Sequence, residues 1–199
     1  DVTAYNYSNG ETITTSLLEN TLIQGNTFVT GRGRQKAAML IGFIGDVRAF
    51  TGLSILVNSF DIGSSHEAIS QLSQALELTI TNNICKSDGG SFYTCTTGII
   101  ATERVICNDN SLYGTYNTAF SGASIVRNNW CEECTTFAFR PQSVTNNKAE
   151  LVTLRFVGST GATEDCTIRG NEATVSTYLS GTVRATYYLT GSGEYVIEN

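Results

Sequence analysis

Four acidic residues in the middle of the chain have the side chains that acid–base chemistry needs: Glu103, Asp109, Glu132 and Glu133. Hydrolysis of a glycoside uses one protonated and one ionised carboxyl group, roughly 5 to 9.5 Å apart. These four residues fall in neighbouring repeats of the sequence, so we expect them to converge across one face and to act as the catalytic groups. The alternative for each of them is an ordinary solvated carboxylate.

Aromatic side chains cluster in the same part of the chain. Tyr93, Tyr113 and Tyr116 could offer flat faces and hydroxyl groups to sugar rings, and Arg127 joins them as a predicted substrate-binding residue. Trp130 is expected at an inward or corner position, so the tyrosines are the preferred contacts. Together with the acids, these residues predict a carbohydrate groove.

The elements that position these residues follow from a recurring six-residue unit, Ile/Val-x-x-Asn-x-apolar. Ile or Val and the last residue of each unit should point inward, where they form columns along a solenoid. Asn tolerates a sharp corner, and its amide can bond both to nearby backbone and to the equivalent Asn one coil away. The seven copies centre on Asn26, Asn58, Asn83, Asn108, Asn128, Asn147 and Asn171. This repeat predicts an all-β fold, a single-stranded parallel β-helix with an asparagine ladder.

Two stretches depart from the repeat. Thr30 to Gly52 is an expected insertion, and its basic opening, Gly31 to Lys36, could reach an anionic ligand or form a solvated loop. Ser64 to Ala75 contains a Ser64-x-x-Glu67 capping box, which predicts one or two helical turns. The only histidine, His66, lies in this segment and is expected to pack or to face solvent rather than to act in catalysis.

The pattern changes near the end of the chain. Period-two runs separated by glycine-containing turns predict antiparallel hairpins over residues 174–199, following the parallel β-helix coils of residues 1–173. Such hairpins would cap the solenoid or contact another chain, because exposed strand edges invite pairing.

Charge and composition exclude several classes of partner. A formal net charge of −6 disfavours nucleic acid, and no apolar run is long enough for membrane insertion. The six cysteines are expected to be buried free thiols, with one or two disulfides or a metal or redox role as the alternatives. No cofactor is predicted. Because the chain begins at Asp1, a processed or excised fragment is expected.

The coil length, the corner asparagines and the terminal β cap resemble the right-handed parallel β-helix superfamily, which includes pectate lyases, polygalacturonases and bacteriophage tailspike proteins. The resemblance covers roughly residues 13–173. The clustered calcium-binding aspartates of pectate lyases have no counterpart here, so no metal site is carried over. The aspartates that would be needed lie far apart in sequence: Asp46, Asp61, Asp88, Asp109 and Asp165.

Within this superfamily the chain looks most like the later part of a phage tailspike. That resemblance implies a homotrimer in the virion tail that binds bacterial surface polysaccharide and degrades it, as a glycoside hydrolase or a polysaccharide lyase. Two alternatives stay open. One is a non-catalytic adhesin or structural fibre segment, and the other is a monomeric secreted lyase or hydrolase.

Overall fold

The structure is a computed structural model that describes residues 18–30, 37–41, 50–72, 75–95, 104–158, 166–175, 186–188 and 195–198. Within these ranges the regular structure consists of β-strands, and no helix is present. The fold is therefore all-β, as the sequence predicts. None of the described residues belongs to a helix that is long and apolar enough to cross a membrane.

Short strands follow one another along the whole described chain. The first ten are β1 (Leu18–Glu19), β2 (Leu22–Gln24), β3 (Thr27–Val29), β4 (Ala37–Ile41), β5 (Phe50–Leu56), β6 (Ser59–Ile62), β7 (Glu67–Gln71), β8 (Ala75–Thr81), β9 (Ile84–Cys95) and β10 (Arg104–Asn108). The other nine are β11 (Ser111–Ser121), β12 (Ile125–Arg127), β13 (Trp130–Phe139), β14 (Ser143–Thr145), β15 (Lys148–Gly158), β16 (Cys166–Arg169), β17 (Glu172–Val175), β18 (Thr186–Tyr188) and β19 (Tyr195–Glu198).

The strands form two sheets of parallel strands. Sheet A has the order β1-β5-β8-β10-β12-β14-β16-β19, with β2 also beside β5. Sheet B has the order β17-β15-β13-β11-β9-β6-β3, with β7 joining β4 to β9 and with β18 beside β15. From β8 to β17 the strands alternate between the sheets, and each pairs with its equivalent one coil away. The architecture is therefore solenoid-like.

Asparagines occupy the corner where each sheet A strand passes into a sheet B strand. At each step the backbone N–H and the side-chain amide of one asparagine donate to the Oδ1 of the asparagine in the next coil, at 2.9 to 3.2 Å. We refer to these seven residues as the corner column. They are Asn26, Asn58, Asn83, Asn110, Asn129, Asn147 and Asn171.

Two members of this column differ from the sequence prediction. Asn110 and Asn129 take the positions that were assigned to Asn108 and Asn128, and both are at least 98% buried. The physical reason is the backbone of the preceding residue, which has a positive φ at every corner and so favours a residue that tolerates the left-handed region. Those residues are Gly25, Val57, Asn82, Asp109, Asn128, Asn146 and Gly170, with φ between 53° and 70°. In this register every corner asparagine has an apolar residue two positions later, without the exception that the predicted register left at Asn110.

The interior contains a column of phenylalanine rings. Neighbouring rings from successive coils have centroids 5.0 to 6.1 Å apart, and most of the contacts are edge-to-face. The rings are those of Phe28, Phe60, Phe92, Phe120 and Phe137. Each such contact contributes about 0.5 to 1.5 kcal/mol beyond the burial of apolar area, so the column stabilises the stacking of coil on coil.

The cysteines are free thiols, as predicted, and five of the six are buried. Burial disfavours the thiolate and raises the pKa of Cys85 to about 12 and that of Cys166 to about 11. Burial also raises the pKa of Cys107 and of Cys131, whose thiol lies beside Cys134. These thiols act as small apolar side chains of the core rather than as nucleophiles.

Two predicted segments have a different structure. The helical turns expected over Ser64 to Ala75 are wrong, because residues 64–65 form a turn and Glu67–Gln71 is strand β7. Ala68 to Gln71 are all buried, so both sides of this strand are covered and period-two alternation is lost. The expected insertion also contributes a regular strand, since β4 pairs in parallel with β7. The basic run at residues 31–36 lies outside the described residues.

The prediction of antiparallel hairpins near the end of the chain is wrong for its two described strands. β18 pairs in parallel with β15, and β19 pairs in parallel with β16. These strands add to the preceding coil and so continue the two sheets. Their alternation of apolar and polar residues fits a parallel coil as well as it fits an antiparallel hairpin. Residues 176–185 and 189–194 lie outside the described residues, and a cap or oligomer contact at residues 174–199 stays a prediction.

Candidate ligand-binding face

The candidate site lies on the exposed side of sheet B, immediately after the corner column. We define the outer face by two columns of outward residues that run across the coils. The first column is Thr27, Ser59, Ile84, Ser111, Trp130, Lys148 and Glu172. The second is Val29, Asp61, Lys86 and Tyr113, followed beyond register shifts by Glu132, Glu150 and Thr174. Adjacent rows are about 4.8 Å apart, which is the spacing of hydrogen-bonded strands.

Two aromatic side chains form the centre of this face. The rings of Tyr113 and Trp130 come from adjacent coils, and their centroids lie 5.0 Å apart with an angle of 63° between the ring planes. Tyr113 is 44% exposed, and the other exposed large apolar residues of the described ranges are aliphatic. Trp130 is half-buried. The pair therefore presents aromatic surface to solvent beside charged side chains.

The position of Trp130 corrects the expectation that it points inward. Asn129 is the corner residue of its coil, so Trp130 directly follows the corner and faces outward, while Cys131 is fully buried. A shift of one residue in register moves every side chain of a strand to the opposite face. The signal in the sequence is the Asn-Asn pair, of which the first residue takes the left-handed turn and the second forms the corner bond.

Glu132 is held beside the aromatic pair by the backbone. Its Oε2 accepts a hydrogen bond from the N–H of Gly114 at 2.6 Å, and Gly114 directly follows Tyr113. Gly114 has a φ of +83°, and a Cβ there would lie 2.2 Å from the carbonyl oxygen of Ser87. A glycine is therefore required at this bulge, and the bulge exposes the N–H that orients the Glu132 carboxylate.

The predicted acids do not all come together. Glu133 follows Glu132 where β13 shifts register against both neighbouring strands, and neither acid enters the buried core. Asp109 is exposed at the corner, where its Oδ2 accepts a 2.5 Å hydrogen bond from the Asn108 amide. It therefore lies before the start of β11 rather than within the outer face. Glu103 lies outside the described residues.

Two of the three predicted tyrosine contacts are interior residues. Tyr93 is fully buried and its hydroxyl donates to Gln71 Oε1 at 2.5 Å. Tyr116 is 2% exposed, and its hydroxyl donates to the Cys85 carbonyl oxygen at 2.8 Å. Burial also raises the pKa of Tyr116. Neither ring reaches the surface, so of the three only Tyr113 is available to a ligand.

Arg127 lies on the sheet A side of the corner. Its Nε donates to Asn108 Oδ1 at 3.1 Å, and the Asn128 amide approaches the same oxygen at 3.4 Å. With the Asn108 contact to Asp109, these residues form an exposed polar network. The network separates Arg127 from Tyr113, because the corner lies between them. Among the described residues no group of three or more His, Cys, Asp or Glu side chains could hold a metal ion.

Comparison of the chain with models of known protein families, with curated proteins and with solved structures gives no match.

Proposed function

We propose that the chain is a right-handed single-stranded parallel β-helix that binds a polysaccharide on its outer face. The observation that supports this most is the exposed Tyr113–Trp130 pair, which lies between polar side chains contributed by successive coils. Sugar rings present C–H faces that stack on aromatic rings and hydroxyls that bond to nearby carboxylates and amines. A face whose rows repeat about every 4.8 Å offers such contacts to a linear polymer at several points.

The sequence resemblance favours one form of this function, in which a tailspike-like homotrimer in a virion tail binds bacterial surface polysaccharide. A secreted monomer with the same face is the alternative. Sedimentation of the purified chain separates the two, since a trimer sediments as a single species of three chains and a monomer does not.

Cleavage of the bound polymer is a second candidate function. It is favoured by the consecutive carboxylates Glu132 and Glu133, which the bulged part of β13 keeps out of the core. Of the two, Glu132 is held beside the aromatic pair by its hydrogen bond from the N–H of Gly114. A glycoside hydrolase or lyase would use one of them as an acid or base. A fibre segment or adhesin would bind through the same face without turnover.

One experiment tests binding and cleavage together. The purified chain is titrated with a panel of bacterial surface polysaccharides, and both the affinity and the release of new chain ends are measured. We expect at least one polysaccharide to bind, and Tyr113→Ala to weaken that binding about tenfold at most, as the loss of one aromatic contact implies. The matched control is Leu40→Ala, which removes another exposed apolar side chain, 63% exposed, from strand β4.

Three outcomes decide the proposal. If Tyr113→Ala weakens binding and Leu40→Ala does not, the outer face is the binding surface. If no polysaccharide binds to the parent chain, the proposed function is wrong. If binding occurs without new chain ends, the adhesin or fibre function replaces cleavage.

A further inference from the structure

The outer face carries more carboxylates than amines. Its charged side chains along the two columns are Asp61, Lys86, Glu132, Lys148, Glu150 and Glu172. Four of these six are acidic, in agreement with the formal net charge of −6 of the whole chain. A polymer of uronic acids or sulfated sugars would be repelled from such a surface.

Both lysines of the outer face have acidic neighbours in the adjacent coil. Lys148 Nζ lies 2.8 Å from Glu172 Oε1. Lys86 is the register partner of Asp61. By contrast, neither Glu132 nor Glu150 takes part in the ion pairs formed within the described ranges, which are Lys148–Glu172 and Arg169–Glu198. The outer face thus keeps two carboxylates that form no ion pair with a lysine or arginine of the described ranges.

The aromatic pair supplies a second, independent attraction for a cation. The face of an aromatic ring attracts an ammonium group, most strongly when the ring is Trp or Tyr. The rings of Tyr113 and Trp130 are in edge contact, with 63° between their planes, and Tyr113 is 44% exposed. The carboxylate of Glu132 is fixed within one residue of Tyr113 by the Gly114 N–H. Exposed aromatic surface and an anchored carboxylate are groups that bind a protonated amine.

We propose that the outer face prefers a glycan that carries free amino groups over one that is neutral or acidic. This inference rests on the proposed function, and it adds the chemical class of the ligand. An ammonium group of the sugar lies against the Tyr113–Trp130 rings and pairs with Glu132, while Glu150 in the following coil attracts the next amine of the polymer.

The test compares two ligands that differ only in charge. A glucosamine tetramer and an N-acetylglucosamine tetramer share one backbone, and at mildly acidic pH only the first is cationic. We expect the first to bind the parent chain about two- to fivefold more tightly at low salt, which is the size of an exposed ion pair. High salt should remove most of that difference, because exposed charges are screened.

The matched variants are Glu132→Gln and Glu77→Gln. Glutamine at position 132 keeps a carbonyl oxygen that can accept from Gly114 N–H, so the variant removes the charge and retains the backbone bond. Glu77 is exposed on sheet A, and its replacement changes the net charge equally at a distance from the outer face. Glu132→Gln should reduce the preference for the amine, and Glu77→Gln should leave it unchanged.

The results also separate this inference from the proposed function. If the acetylated tetramer binds as tightly as the amine, or if both glutamine variants behave alike, the amine preference is wrong while glycan binding stands. If a tetralysine peptide displaces the glucosamine tetramer at equal concentration, the face recognises ammonium groups on any carrier, and the preference for a glycan is wrong. Failure of every polysaccharide to bind would instead overturn the proposed function.

Discussion

The corner column and the outer face are built from the same seven coils, yet they differ completely in side-chain variety. All seven corner positions are asparagine, and the six after Asn26 each accept two hydrogen bonds from the preceding coil at a sharp turn. One position further along, the outward residues are Thr, Ser, Ile, Ser, Trp, Lys and Glu. The backbone follows the same path through both positions in successive coils, but only the corner position requires a particular side chain. The side chains of the outer face can therefore vary while the fold is kept, so functional residues can stand there.

Two tyrosines of strand β11 give the largest expected contrast between interior and outer face. Tyr116→Ala should lower the free energy of unfolding by about 3 to 5 kcal/mol, since it removes a buried ring and a buried hydrogen bond to Cys85. Tyr113→Ala should lower it by about 1 kcal/mol or less, because the ring is 44% exposed. Urea denaturation of the two variants measures both. Equal losses would mean that the two rings do not lie on opposite sides of the strand.

Two asparagines separated by one residue test the corner column. Asn110→Ala should lower the free energy of unfolding by about 1 to 3 kcal/mol, because the buried N–H of Asn83 loses its acceptor. Asn108→Ala removes exposed contacts to Asp109, Arg127 and Asn128, so its cost should be under about 1 kcal/mol. The comparison is made by urea or thermal denaturation under identical conditions. A larger cost for Asn108→Ala would restore the register predicted from the sequence.

Val57 offers a smaller effect, of opposite sign. It is the one β-branched residue among the left-handed corner positions, with a φ of 53°, and the residue is 55% exposed. Val57→Asn should raise the free energy of unfolding by about 1 kcal/mol, since asparagine tolerates this backbone region and little apolar burial is lost. The reverse change at the equivalent corner, Asn82→Val, should lower it by a similar amount. A loss of stability in Val57→Asn would show that the valine side chain contributes packing that outweighs the strain.

Much of the fold follows from the sequence because the corner requires both an asparagine and inward apolar neighbours. Asn58, Asn83 and Asn147 could be assigned correctly, since each lies three residues after a buried Ile or Val. The register failed at Asn110 and Asn129, where two asparagines lie within two residues of each other. At Asn110 the residue three positions earlier is also Cys107 instead of the expected Ile or Val. The residue before the corner resolves the choice, because it must tolerate a positive φ.

The site could be predicted only in part. Simple alternation along β11 places Tyr113 and Tyr116, three residues apart, on opposite faces, so only one of them can reach a ligand. The outward position of Trp130 was not predicted, because the face on which it lies depends on the register of a single asparagine. The bond from Gly114 N–H to Glu132 joins two coils at a bulge, and such contacts depend on the stacking of coils, which local sequence does not encode.

The most direct test of this account measures stability and affinity on the same samples of parent, Tyr113→Ala and Trp130→Ala. For a polysaccharide that the parent binds, we expect each variant to weaken binding by up to about tenfold while the free energy of unfolding changes by about 1 kcal/mol or less for Tyr113→Ala. That result would place function on the outer face and stability in the corner column and interior. Unchanged affinity in two folded variants would contradict the account, because the aromatic pair would then have no part in binding.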